Sequence, residues 1–116
     1  MKVYYAHCVS IYDTPQEARD IETLKACGFD VVNPNTPECD AGYKARGMEY
    51  FKKFAEECDA VVFRGLPDGS IPAGVAREIE MFRAEGKPVL ELPSNTVRRV
   101  LSVEVTRQYL KEVGCR

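Results

Sequence analysis

The sequence predicts an α/β fold: a single-domain, three-layer α/β/α sandwich on a mainly parallel sheet of four or five strands, Rossmann-like or flavodoxin-like in plan. Three observations lead there. Short β-prone runs alternate with helical stretches along the chain. The run Ala60-Val61-Val62-Phe63 is apolar without a break, the pattern of a strand covered on both faces. Gly28 and Gly86 stand where two of the helical stretches should stop.

Taken in order, Lys2 to Ala6 reads as the first strand. Thr14-Pro15-Gln16-Glu17 opens a helix: Thr14 caps, Pro15 suits the first helical position, and Glu17 completes a capping box. That helix runs to about Cys27, with Ala18, Ile21, Leu24 and Lys25 as its stripe. Phe29 to Asn33 is the second strand. Asn33 to Gly42 reads as a long loop, and Asp40 within it and Tyr43 just after it are candidates to form a lid or to reach a ligand. A second helix is expected over about Ala45 to Cys58, where Met48, Phe51, Phe54 and Ala55 recur at helical spacing. Asp59 to Arg64 is the third strand, with Asp59 a boundary residue at its amino end. Gly65 to Ser70 is a turn-rich loop and Ala73 to Glu85 the third helix. Lys87 to Leu92 is the fourth strand. A short fifth strand over Val97 to Leu101 and a last helix over Val103 to Val113, capped by Ser102 and stopped by Gly114, close the chain.

A length of 116 residues suits one domain. Apolar residues are 45% and charged residues 29%, ordinary globular usage. The net charge is −2, with acids and bases interspersed, so no basic stripe invites nucleic acid. No apolar run reaches membrane-spanning length, and the polar start is not that of a signal peptide, so the expectation is a cytoplasmic protein with no membrane partner. The 5 cysteines form no C-x-x-C pair and the single histidine is His7, so zinc spacing is absent and free thiols are expected.

In parallel α/β sheets the ligand crevice lies beyond the carboxyl ends of the strands. That rule nominates the segments His7 to Asp13, Asn33 to Gly42, Arg64 to Gly74 and Pro93 to Thr96. Glu78 is the central candidate. Val75, Ile79 and Phe82 form the apolar stripe of its helix, and Glu78 lies about 70° from the centre of that stripe, at the border of the buried face. Close to the helix start its ionised form is favoured, which suits a nucleophile better than a proton donor. The plainer reading is a helix-flank glutamate in an i,i+4 contact. Gly74, one turn earlier, leaves the crevice floor open. Gly69 and Asp68 belong either to a ligand-holding loop or to a simple Pro-Asp-Gly turn. Ser10 lies near the first helix start, where backbone groups hold anions. Arg64 is the side-chain candidate for a phosphate, or else an ordinary strand end. Tyr5 and His7 are candidate pocket-wall residues. No complete phosphate-binding motif is present.

Three stretches together carry a resemblance: Lys2-Val3-Tyr4-Tyr5-Ala6, then Cys58-Asp59-Ala60-Val61-Val62-Phe63, then Ala73-Gly74-Val75-Ala76-Arg77-Glu78-Ile79-Glu80 leading into Gly86-Lys87-Pro88-Val89. The chain resembles the nucleoside 2-deoxyribosyltransferase-like superfamily, most sharply over residues 74–90. The resemblance makes Glu78 the nucleophile of N-glycosidic bond cleavage, passing a (deoxy)ribosyl group to water or to another base. It implies a small nucleoside or nucleotide as ligand, no cofactor and no metal, and a homo-oligomer in which a neighbour completes the pocket, with Tyr109 a candidate for that part. The family's Asp and Gly-Thr before the helix are absent from Ile71-Pro72-Ala73-Gly74-Val75. A second function therefore stays open, a non-catalytic nucleotide-binding or sensing domain of the same fold. A third is a small oligomerising domain without a ligand.

Overall fold

The computed structural model describes residues 1–93, together with Arg107 and Lys111, which are helical and exposed. The expected fifth strand, the rest of the last helix with Ser102, Tyr109 and Gly114, and Cys115 lie outside the described residues.

Four strands, β1 (Lys2–Ala6), β2 (Asp30–Val32), β3 (Ala60–Phe63) and β4 (Val89–Glu91), form one all-parallel sheet in the order β2-β1-β3-β4. Tyr4 pairs with Val61 and Tyr5 with Val62 across the central pair. Side chains alternate across the sheet. Val3, Tyr5, Ala60 and Val62 pack with Leu24 of α1 (Pro15–Ala26) on one face. Tyr4, Ala6, Val61 and Phe63 pack on the other face, with Ala55, Val75, Ile79 and Phe82 from the helices there. Those helices are α2 (Pro37–Arg46), α3 (Lys52–Glu57) and α4 (Ala73–Ala84). This is the expected three-layer sandwich. The Tyr4 ring stacks between Phe54, at 5.3 Å, and Phe82, at 5.8 Å. Such ring pairs add about 0.5–1.5 kcal/mol beyond their buried area.

Two elements depart from the sequence reading. The stretch read as a loop from Asn33 to Gly42 already holds the start of α2 at Pro37. Thr36 is its cap, accepting from the Cys39 N–H at 3.1 Å, and Pro37 takes the first helical position. Gly47, at φ 63, ends that helix in a conformation that side chains resist. A 3-10 turn (Gly47–Phe51) then leads into α3, so the single helix expected over Ala45 to Cys58 is broken. Asp40 and Tyr43 are thus helical, which sets aside the lid, and both line a cavity beside α2.

The second departure is the buried face of α1. Ala18 and Lys25 are exposed, while Glu17, Asp20 and Leu24 are buried. Thr14 caps as expected, accepting from the Glu17 N–H at 3.4 Å. The Glu17 carboxylate does not return to the Thr14 amide. It accepts instead from the Asp13 N–H at 3.2 Å, where Asp13 sits at φ 60. Two acids turn inward because partners wait for them there.

Candidate functional site

A 3-10 turn (Val9–Ile11) follows β1 and lies between two cavities at the carboxyl end of the sheet. One, of about 330 Å³, is walled by Val9, Tyr12, Asn35, Thr36, Cys39, Tyr43, Phe51 and Gly74, among others. The other, of about 610 Å³, is walled by Ser10, Ile11, Thr14, Gln16, Arg19, Arg64 and Pro67, among others. Both positions agree with the rule that ligands sit beyond strand carboxyl ends.

Glu78 is one helical turn past Gly74 on α4, and Gly74 is on the wall of the smaller cavity. The register of Glu78 on the buried stripe leaves it only 9% exposed. Burial pushes its carboxyl up from 4.5 to about 7, against a smaller lowering from the nearby Tyr4 hydroxyl. No hydrogen bond of ordinary geometry joins the two: Tyr4 Oη and Glu78 Oε2 are both buried without a partner among the described residues. The charge of Glu78 in turn lifts the Tyr12 hydroxyl, already raised by burial. Contrary to the expectation from sequence, the helix start does not hold this carboxyl ionised. Glu78 is the sixth residue of α4, past the turn where the helix dipole acts, and desolvation prevails.

A polar network fills the opposite side of the sheet. Arg64, at the end of β3, donates from Nε and Nη2 to Asp20 at 2.5 and 2.7 Å, and from Nη1 to the Pro93 carbonyl at 3.0 Å. Tyr5 Oη and Gln16 Nε2 also donate to Asp20, at 2.5 and 2.7 Å. Burial opposes the Asp20 charge, but the bonds from Arg64, Tyr5 and Gln16 outweigh it and hold the carboxyl below its usual range. Beside this group, His7 stacks on the Tyr5 ring at 3.8 Å. Its Nδ1 lies 3.0 Å from the Tyr5 carbonyl and its Nε2 2.7 Å from Glu17 Oε2. Glu17 also accepts from Asn35 Nδ2 at 3.0 and 3.2 Å. Burial again opposes the charge, and the bonds from His7, Asn35 and the Asp13 N–H hold the Glu17 carboxyl low.

The candidates from sequence thus separate. Gly74 is on the wall of the smaller cavity, where a Cβ would meet nothing within 4 Å. Ser10 and Arg64 line the larger one. Tyr5 and His7 are buried at 0% and 4% exposure and line neither cavity. Asp68 and Gly69 sit at an exposed turn whose polar atoms are paired locally: Asp68 Oδ1 accepts from the Ser70 N–H and hydroxyl at 2.9 and 2.6 Å. Sequence reasoning nominates the segments that hold Tyr12 and Asn35 without singling out either residue, and it misses Asp20 and Glu17 as site residues. Glu17 read as a capping residue, and Asp20 carried no signal before its partner Arg64 was placed.

Among the described residues no group of three or more His, Cys, Asp or Glu side chains is placed to hold a metal ion. Cys8, Cys27, Cys39 and Cys58 are free thiols. No helix among the described residues is long and apolar enough to cross a membrane. Comparison of the chain with protein-family models, curated proteins and solved structures returns no match.

Proposed function

We propose that the protein cleaves the N-glycosidic bond of a nucleoside or nucleotide, as a hydrolase or a 2-deoxyribosyltransferase, with Glu78 as nucleophile. One observation carries this reading. A carboxylate oxygen without a partner is buried one helical turn past a glycine that leaves a cavity wall open. A buried acceptor left unpaired is costly, and an acid that bears that cost close to a cavity is a candidate for chemistry. Tyr12, Tyr43 and Phe51 offer flat apolar surface for a base.

In this mechanism the ionised Glu78 oxygen bonds to the anomeric carbon as the carbon–nitrogen bond breaks and the base leaves with the electron pair. Water or a second base then attacks the same carbon and frees the carboxylate; the departed base takes up one proton from solvent and the attacking group gives one up. A carboxyl poised near neutrality is half in the attacking form at pH 7. A 5′-phosphate, where the substrate has one, would lie toward the larger cavity, near Ser10 and Arg19, since the Arg64 nitrogens are taken up by Asp20 and the Pro93 carbonyl. The same reading carries a cytoplasmic location and a homo-oligomer, the latter checked by light scattering.

The second reading is a domain of the same fold that binds or senses a nucleotide without turnover. One observation favours it: Glu78 itself is not among the residues on the cavity wall. Incubation with a panel of nucleosides and 5′-monophosphates, read by free-base release, separates the two. The enzyme reading expects release that disappears in Glu78→Ala. Saturable binding with no release supports the sensor, and release that survives Glu78→Ala removes Glu78 from the mechanism.

A further inference from the structure

Asn35 follows the carboxyl end of β2 in the run Asn33-Pro34-Asn35. Its backbone is fixed: Asn33 Oδ1 accepts from the Asn35 N–H at 2.9 Å, and the buried Pro34 has little torsional freedom. The side chain is fixed as well. Asn35 Nδ2 donates to Asp13 Oδ1 at 3.0 Å and to Glu17 Oε1 and Oε2 at 3.0 and 3.2 Å. An ionised carboxylate only accepts, so the nitrogen end of the amide must face these two acids. Glu17 cannot swing away, because His7 Nε2 and the Asp13 N–H hold its two oxygens.

The consequence is an amide that cannot flip. Both N–H groups are spent on Asp13 and Glu17, and Oδ1 has no hydrogen-bond partner among the described residues. Asn35 is half-buried and stands on the wall of the smaller cavity. The hydroxyls of Tyr12, Thr36 and Tyr43 on the same wall rotate to give or take a proton, so they discriminate little. Asn35 presents one sign only, as does the Asp40 carboxylate on the same wall, which is exposed and paired with Lys44 at 2.9 Å.

We propose that Asn35 Oδ1 is a fixed acceptor in this cavity and selects ligands that bring an N–H or O–H donor to it. This deepens the reading that the cavity takes a nucleoside or nucleotide, and rests on it for the identity of the ligand. The donor is an exocyclic amine of the base or a hydroxyl of the sugar. A keto oxygen in that place would face another acceptor across a desolvated gap.

The test uses pairs of compounds that differ at one donor. Adenosine against purine riboside and cytidine against uridine probe the base. Adenosine against 2′-deoxyadenosine and 3′-deoxyadenosine probes the sugar. Benzamide against methyl benzoate probes the acceptor with no nucleoside at all. Kd is measured for each, with the Asn35 side-chain amide followed by ¹H–¹⁵N NMR. The expected result is that the donor-bearing member of at least one pair binds about tenfold more tightly, the worth of one hydrogen bond, and shifts the Asn35 amide signals. In Asn35→Leu the two members should bind within about twofold of each other, with the donor-free member keeping its affinity. Which pair responds names the source of the donor.

Selection in the benzamide pair with no nucleoside bound keeps the acceptor and discards the nucleoside reading. Nucleosides that bind with no donor preference, or with a preference that persists in Asn35→Leu, overturn the acceptor and leave the nucleoside reading standing. Failure of every probe to bind overturns both. Should Asn35→Leu not fold, the wild-type pairs decide: amide shifts confined to donor-bearing members support the proposal, and shifts absent or equal in both members overturn it.

Discussion

The Tyr4 hydroxyl and Glu78 Oε2 are buried on the same side of the sheet, and neither finds a hydrogen bond among the described residues. The next residue, Tyr5, points to the other face and donates to Asp20 at 2.5 Å. Two consecutive tyrosines of β1 thus meet an acid each, on opposite faces. One acid is tied into a closed network, and the other is left unsatisfied near a cavity. Orphaned buried polar atoms cost about 1–3 kcal/mol each. That cost is concentrated at the face proposed to do the chemistry, as in proteins that trade stability for function.

Stability should peak at acidic pH. Glu78 is raised from 4.5 to about 7, so on raising the pH the unfolded chain loses this proton first. Folding is penalised progressively between those values, and the penalty is complete above about pH 7. The full shift corresponds to on the order of 3 kcal/mol. Asp20 and Glu17 are lowered, so their contribution is present above their ordinary values of 3.8 and 4.5 and is lost as the pH falls through their folded values. Urea midpoints between pH 3 and pH 8 should therefore be highest near 4.5. In Glu78→Gln the decline from there to neutrality should vanish. A wild-type midpoint that holds level to pH 8 contradicts this account of Glu78.

Asp20→Asn should be the most damaging conservative change. Asp20 and Arg64 are 3% and 7% exposed, and Arg64 spends Nε and Nη2 on that carboxylate. Leaving the guanidinium buried without its counter-charge costs about 3–5 kcal/mol. The double change Asp20→Leu with Arg64→Met should recover most of that loss. Guanidinium denaturation of the singles and the double gives the cycle, and a single-variant loss under about 1 kcal/mol would show that the pair is not held as described.

Gly74→Ala and Gly74→Leu should part stability from function. A Cβ at Gly74 meets nothing within 4 Å, so alanine fits and should stabilise α4 by up to about 1 kcal/mol. Leucine has room only by extending into the cavity. Its thermal midpoint should match the alanine variant while nucleoside binding falls by more than about tenfold, a loss measured calorimetrically. Equal binding by both variants would mean that the ligand does not use this cavity.

Gly42→Ala should destabilise the chain with no bearing on the ligand. The new Cβ would stand 2.3 Å from Tyr50 ring carbons. That ring is fixed by its edge contacts with Phe51 and Phe54 and by Lys53 Nζ at 4.2 Å. Overpacking of this kind costs about 1–3 kcal/mol, visible as a lower thermal midpoint. An unchanged midpoint would show that the α2–α3 corner yields easily.

The layers of the fold were legible because a buried parallel strand needs apolar residues on both sides, and Val61, Val62 and Phe63 supply them in sequence. Gly74 and Glu78 were legible because helical spacing alone sets one a turn before the other. The α2 start was hidden because Asn33-Pro34-Asn35-Thr36-Pro37 has the composition of a loop, although Thr36 and Pro37 are also a helix cap and its first residue. Glu17 and Asp20 were hidden for a different reason. Acids at i and i+3 on a helix look like a solvated face, and only tertiary partners turn them inward: His7 for Glu17, and for Asp20 an arginine 44 positions away. The clamp on Asn35 was out of reach for the same cause, since it depends on three segments meeting.

The measurement that bears most directly on Glu78 is the pH dependence of kcat/KM for free-base release, in the wild type and in Glu78→Gln. The nucleophile must be ionised and its carboxyl sits at about 7, so wild-type activity should climb tenfold per pH unit up to that value and then level off. Glu78→Gln should show no release at any pH. Release by Glu78→Gln at wild-type rates, or a wild-type profile flat from pH 5 to pH 8, would contradict the assignment.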